Sequence, residues 1–445
     1  VTDDRLTNQT VELLQELIRN RCVNDGSRDS GEEIRNSDLL TTFLEGTGLD
    51  LQHYDAGPGR RSVIARIEGS DPDAPTLCLM GHTDVVPVNE SQWSHDPFGG
   101  ELIDGEIWGR GAVDMLCLTS SMAVAFRELA NTGFRPKGTL IYFGVADEEA
   151  GGVYGADWVT AHHWDDVACD YVLTETGGIL AETPAGPRVV LTAAEKGIGW
   201  RRLTIKGTPG HGSMPWQADN ALIKAAEVVR RFHEYQPTPR ITEYWTAFVE
   251  SMGLDDLGRQ ALLDPGRVRD AIALLEPRTA KYAHACTHTT FSPNVISGGQ
   301  KANMIPDTVH LEVDIRTLPG ETEEDIDAHL RAALGDLYDE VTVVPIAPRA
   351  ASSSPRQTPM WDVLEKRLKV VHPGAEVIPW LLVGGTDAAF FREKGAVAYG
   401  AGVFSERATL QQIQNRYHGD DERIDVGSLA LQAQFWLDVA RDVVG

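Results

Sequence analysis

The chain has 445 residues, 42% of them hydrophobic, and a formal charge of −26. That length exceeds what one growing core supports, so two domains are expected, while the acidity leaves no basic footprint for a nucleic-acid backbone or an anionic lipid surface. Cys22, Cys78, Cys117, Cys169 and Cys286 are odd in number and include no C-x-x-C pair, which argues against a disulfide framework.

No stretch approaches the ~18 apolar residues of a membrane span, and the polar start Val1-Thr2-Asp3-Asp4-Arg5 has no signal-like apolar core. The expectation is a cytoplasmic protein of a reducing compartment, with a removed leader ahead of Val1 still compatible. Val11, Leu14, Leu17 and Ile18 recur at helical spacing and predict a helix over residues 6–23. Ser37 can cap a second helix that ends near Gly46. Strands at 62–67 and 76–80, a helix at 115–129 closed by Asn131-Thr132-Gly133, a strand at 139–146, a helix at 153–161 and a strand at 171–174 then alternate. Such alternation predicts an α/β fold with a largely parallel, helix-covered sheet.

The rhythm changes after Glu195-Lys196-Gly197. A strand at 200–205, a helix at 220–233, a helical insert over 242–275, strands at 289–296 and 309–315, a helix at 323–334 and a strand at 341–345 suggest a ferredoxin-like α+β module. Ala350-Ala351-Ser352-Ser353-Ser354-Pro355 reads as the return linker. Beyond it come a helix at 361–371, a strand at 377–381, Gly384-Gly385-Thr386-Asp387 opening a helix, a strand at 397–399 and a last helix at 426–443. The expected organisation is a discontinuous catalytic domain, residues 1–198 and 350–445, interrupted by a smaller domain, residues 199–349.

The apolar run Thr139-Leu140-Ile141-Tyr142-Phe143-Gly144 leads into Val145-Ala146-Asp147-Glu148-Glu149. Like charges at a buried strand tip are costly unless a cation neutralises them. Two further runs end the same way, in Gly81-His82-Thr83-Asp84 and in Glu175, and Asp114 opens the helix between them. Sites in open α/β sheets assemble at the carboxyl ends of strands, so His82, Asp84, Asp114, Glu148, Glu149 and Glu175 are expected in one crevice. If His418 returns there, two metals can each have one imidazole, one terminal carboxylate and a share of a bridging Asp114. Glu148 is then left free as a general base, and Asp84 is a natural partner for the second nitrogen of His82. Amide hydrolysis is the leading chemistry.

Gly81-His82-Thr83-Asp84-Val85-Val86-Pro87, Gly109-Arg110-Gly111-Ala112-Val113-Asp114-Met115, Asp147-Glu148-Glu149, Glu175 and His418 together resemble the di-zinc metallopeptidase family of aminoacylase, glutamate carboxypeptidase and succinyl-diaminopimelate desuccinylase. The resemblance implies that His82 and Glu175 hold one zinc and Glu149 and His418 the other. It also implies Asp114 as the bridge, Glu148 as the base and Asp84 as the orienting group of His82. The inserted module resembles the family's lid and dimerisation domain, and Gly210-His211-Gly212-Ser213-Met214-Pro215 matches the place of a histidine that reaches the substrate carbonyl. His211 is thereby an expected oxyanion stabiliser, supplied in dimeric relatives by the partner subunit of a homodimer. Asn303, before Met304-Ile305-Pro306, and Arg316, in Asp314-Ile315-Arg316-Thr317, match positions facing the substrate carboxylate. Gly385 matches a backbone-binding position.

The chain departs from the family at Leu116, where many members have lysine, and at Ala389, where several have arginine. Neither position is a ligand. The finer motifs, Glu195-Lys196-Gly197 and Ile315-Arg316-Thr317-Leu318-Pro319-Gly320, are most similar to the carboxypeptidase S branch, which includes hydrolases of N-fatty-acyl amino acids. Tyr244, Trp245, Phe248, Met252, Leu254 and Leu257 read either as a shelf for an acyl chain or, the favoured reading, as the packed face of lid helices. Simpler readings exist elsewhere: Arg316 pairing with a neighbouring acid, Asn303 forming a turn, His162-His163 ending a helix, His284 and His288 flanking a strand, and Cys117 filling core.

The function implied is hydrolysis of the amide or peptide bond of a small substrate with a free carboxylate, an N-acyl amino acid or dipeptide. A water activated by two divalent ions, Zn2+ first and Co2+ or Mn2+ as alternatives, would do it. The rivals are a non-catalytic binding protein for a small carboxylated ligand and an allantoate-type ureide amidohydrolase.

Overall fold

Alternate residues of the central strands fall into opposite cores, as the two-residue period of an extended chain requires. In the strand Leu77–His82, Leu77 and Leu79 join one apolar cluster and Cys78 and Met80 the other. In Leu140–Val145, Leu140 and Tyr142 face the first cluster while Ile141, Phe143 and Val145 face the second. A sheet apolar on both faces must be covered on both. The helices Asp4–Arg19, Leu116–Asn131 and Val426–Val444 supply residues to the first cluster, and Ala156–His162 and Ala388–Glu393 to the second. This arrangement is that of a computed structural model describing residues 3–445; Val1 and Thr2, the first of the polar start, lie outside the described residues.

The large sheet has ten strands among the described residues. At its centre Leu140–Val145, Leu77–His82, Tyr171–Thr174 and Val397–Gly400 run parallel, side by side. The antiparallel pair Leu51–Gly57 and Arg60–Ile67 extends one edge, and the long strand Gly186–Glu195 lies toward the other, joined by Glu376–Leu382 in parallel. The sequence patterns missed Leu51–Gly57 and Gly186–Glu195. The second of these is buried over its last seven residues, so it lacks the polar alternation that marks a half-exposed strand.

A five-stranded antiparallel sheet is inserted between Gly186–Glu195 and Ser352–Ser353. Its four main strands, Thr290–Gly298, Thr308–Thr317, Arg201–Lys206 and Val341–Pro345, lie in that spatial order, with the first and last of the chain adjacent. The helices Ala221–Glu234 and Glu323–Leu334 cover one face and complete its apolar core. This is the ferredoxin-like topology expected.

Three expectations need correction. The first helix ends at Arg19, because residues 22–24 leave it to pair with Val85: Val85 donates to the Cys22 carbonyl and Asn24 to that of Val85. The second helix starts at Ile34, a turn earlier than Ser37, which is buried inside it; Glu33 holds the cap position but turns its carboxylate to Arg60. The helical insert does not belong to the small core. Tyr244, Trp245, Val249, Leu262 and Cys286 join the large sheet's first cluster, Phe248 meets Trp380 edge-on, and Tyr282 stacks on Trp380. Among the described residues no helix is long and apolar enough to cross a membrane.

Candidate metal centre

The parallel strands deliver the acids to one place. His82 is the last residue of its strand, Asp147-Glu148-Glu149 follow Val145 by one residue, and Glu175 follows Thr174, so three adjacent strands end at the same edge. Asp114 enters just ahead of the helix Leu116–Asn131, and His418 follows the helix Leu410–Arg416. The donor atoms of His82, Asp114 and Glu175 lie within 4.8 Å of one another, and so do those of Asp114, Glu149 and His418. Asp114 is common to both groups. Its Oδ1 is 3.3 Å from His82 Nε2, and its Oδ2 is 3.3 Å from His418 Nε2, which also sits 3.1 Å from Glu149.

The donors fit two cations. Nδ1 of His82 lies 2.9 Å from the Asp84 carbonyl oxygen, so a ring that gives up its Nε2 proton to a cation would keep Nδ1–H on that carbonyl and turn the Nε2 lone pair toward Asp114. Glu149 Oε1 is buried without a hydrogen-bond partner. Burial, together with the negative charge of Asp114, pushes the Glu149 carboxyl up to about 7 and the Glu175 carboxyl well up. Burial does the same to Glu148, against the pull of His82 and with Asp387 and Glu149 adding to it. Burial would lower His82, but Asp114, Glu175, Glu148 and Asp84 outweigh it and hold the imidazole well above its usual range. Asp114 is held low: burial would raise it, and the two imidazoles overcome that. Such crowding of buried like charges is what a divalent ion relieves.

Asp84 faces the His82 ring with two groups: its carbonyl oxygen is 2.9 Å from Nδ1, and its carboxylate lies 3.6 Å from the same nitrogen. The carboxylate accepts the backbone N–H groups of Glu148 at 3.2 Å and Glu149 at 3.1 Å and the Asn24 amide at 2.9 Å. It therefore fixes the turn that presents both glutamates. Asn24 bonds Asp147 as well, at 3.0 Å, and buried Arg60 pairs with Glu33 and Asp147 at 2.5 and 3.4 Å. On the other side, buried Glu422 accepts the N–H groups of Gly111, Val113 and Asp114 at 3.0, 2.7 and 2.9 Å and pairs with Arg110 at 2.7 Å. These positioning residues escaped the sequence reading. Asn24 carries no local signal, whereas Glu422, four residues past His418, lies within the range a search for supporting acids would cover.

A cleft of about 640 Å3 opens on the donors. Glu148, Arg316 and Gly385 line it together with Ile198, Trp200, Phe390 and Arg349. Arg316 also pairs with Asp314, its Nε donating at 2.8 Å, so the simpler reading of that residue holds beside its place at the cleft. His211 and Asn303 are exposed and do not line it: the His211 ring bonds Ser213 at 2.7 Å, and Asn303 gives its carbonyl to the Gly212 N–H. None of the six insert residues weighed as an acyl shelf lines the cleft either. Cys117 is buried in the core, and His162 ends its helix; His284 lies within a helix, with His288 between that helix and the next strand.

The model of Peptidase family M20/M25/M40 matches residues 78–442. Aminoacylase-1 of Sus scrofa is 27% identical over 421 residues, covering 93% of this chain and 90% of the relative. A probable carboxypeptidase S-like 2 of Dictyostelium discoideum is 24% identical, covering 86% and 74%, and the N-fatty-acyl-amino acid synthase/hydrolase PM20D1 of Xenopus tropicalis is 27% identical, covering 86% and 75%. Among solved structures, an M20 family metallo-carboxypeptidase of Sulfolobus solfataricus superposes with a TM-score of 0.75 at 17% identity, covering 98% of this chain and 99% of that one.

Proposed function

The chain belongs to peptidase family M20/M25/M40, and from that membership we propose that it cleaves the amide bond of a small carboxylate-bearing substrate, an N-acyl amino acid or dipeptide, at two divalent ions, zinc first among them. The observation that carries the reading is the shared Asp114, whose two oxygens face His82 and His418. His82 and Glu175 would hold one ion, Glu149 and His418 the other. When bound, such ions acidify a water and polarise the amide carbonyl.

Glu148 takes the proton of the attacking water and passes it to the leaving amine. Asp84 keeps the Glu148–Glu149 turn in register for this. Arg316 and the backbone at Gly385 receive the substrate carboxylate. The division into a catalytic part, 1–198 and 350–445, and a lid, 199–349, belongs to the same proposal. So does a homodimer, because His211, the expected oxyanion stabiliser, and Asn303, expected at the substrate carboxylate, are exposed away from their own cleft and are free to enter another chain's. A spare carboxylate beside two complete donor sets favours catalysis over a binding protein, which has no use for a base.

The test is a pair of variants. Glu148→Gln should keep both ions by elemental analysis and lose about 10²–10⁴-fold in kcat on N-acyl amino acids, while His82→Ala should lose metal as well. Normal turnover by Glu148→Gln would remove the glutamate from the mechanism.

A further inference from the structure

Arginines in so acidic a chain are mostly committed to carboxylates. At the cleft Arg316 is held by Asp314, and behind the glycine-rich loop Arg392 donates to Glu195 at 2.9 Å. Arg349 is different. Its backbone is fixed at the crossing between the two sheets, where it and Ile198 exchange hydrogen bonds of 2.9 and 2.7 Å. Its guanidinium lies over Phe390, 5.3 Å from the ring centre, and Nη1 donates to the Thr386 carbonyl at 3.3 Å. A Cβ on Gly385 would stand 2.5 Å from Nη2, so the glycine is what lets the guanidinium lie against the loop. Among the described residues no other donor atom of Arg349 finds a protein acceptor, and Asp387, buried nearby, has neither oxygen hydrogen-bonded. The result is a charged planar fork, braced on three sides, that lines the same cleft as Glu148 with its remaining donors unpaired.

We propose that Arg349 is a specificity-determining residue that binds the side-chain carboxylate of an acidic leaving amino acid, so that amides of glutamate or aspartate are preferred substrates. The inference rests on the reading of the site as an amide hydrolase. In that reading the loop backbone at Gly385 and Arg316 take the α-carboxylate, and Arg349, touching Gly385, meets what branches from the same amino acid. Its fork matches a carboxylate bidentately. The apolar insert, which could have argued for a long acyl chain, packs elsewhere.

The experiment measures kcat/KM of the zinc-loaded enzyme for N-acetyl-glutamate against N-acetyl-glutamine and for glycyl-glutamate against glycyl-glutamine, in the wild type, Arg349→Gln and Arg349→Lys. The wild type should prefer the acid by about 10–100-fold, the worth of a hydrogen bond to a charged group. Arg349→Gln should bring that ratio to about 1 and Arg349→Lys should retain part of it with a raised KM, since lysine keeps the charge and loses the fork. A wild-type ratio near 1 overturns the proposal, as does an Arg349→Gln enzyme slowed equally on acid and amide, the mark of an arginine that serves only Asp387. Failure of the wild type on all four while it cleaves other N-acyl amino acids overturns this inference alone; failure on every N-acyl amino acid and dipeptide removes the amide-hydrolase reading as well.

Discussion

Single residues in this protein carry charge states that their surroundings force on them. Lys196 is 2% exposed and donates to the carbonyls of Ala285 and His288, with no carboxylate partner among the described residues. Burial brings its amine down from the usual range to about 7. Because the folded value lies below the unfolded one, the folded state binds fewer protons between about pH 7 and pH 10 and gains stability as pH rises through that window. The melting temperature should therefore rise from pH 7 to pH 9 by more in the wild type than in Lys196→Met; equal slopes would mean that the amine is charged in the fold. The same scale shows what a sequence can disclose. His82, Glu148, Glu149 and Glu175 were legible because an acid or imidazole at the tip of an apolar strand is conspicuous. Asn24 was not, since only the tertiary pairing of residues 22–24 with Val85 carries it to Asp84. For Asp84, proximity in sequence to His82 pointed to the ring but not to the hydrogen bonds its carboxylate takes from the Glu148–Glu149 turn.

At the scale of elements, the site is held by turns whose orphan N–H groups end on buried carboxylates. Glu422 takes three such groups from the segment that presents Asp114, besides the Arg110 guanidinium. Glu422→Gln turns a donor toward donors. Breaking a buried charged network of this kind costs roughly 3–5 kcal/mol, and displacement of Asp114 should weaken zinc binding by about 10–100-fold. Urea unfolding and a zinc titration read the two effects, and unchanged zinc affinity would show that Asp114 keeps its place without Glu422. Helices were largely legible from their period, as in Glu323–Leu334, which a Thr322 capping box opens, whereas the partly exposed strand Leu51–Gly57 was missed. The strand Gly186–Glu195 was missed too, because full burial erases alternation. The insert's helices were visible, but an apolar face does not say which sheet it will cover, and Trp245 and Phe248 went to the large one.

On the scale of the whole molecule, each chain presents His211 and Asn303 to solvent while its own cleft lacks them. If a second copy supplies them, two dead variants should repair each other. Mixing Glu148→Gln with His211→Ala under subunit exchange should restore about a quarter of wild-type activity, since about half the dimers are mixed and each has one intact site of two. No recovery after demonstrated exchange would place His211 outside the reaction or within its own chain. The alternation of elements and the interruption by a small module were readable from sequence; how the two units close over a substrate was not, because closure depends on contacts that neither unit makes alone.

If two cations bound through Asp114 make this chain an amide hydrolase, as proposed, metal content and turnover must rise and fall together. The measurement that tests it most directly is metal content and turnover of N-acyl amino acids on one sample, before chelation, after it and after zinc is returned. Two ions per chain, loss of turnover with their removal and recovery on reloading are the expected results. Full turnover by metal-free protein, or no uptake at saturating zinc, would contradict it.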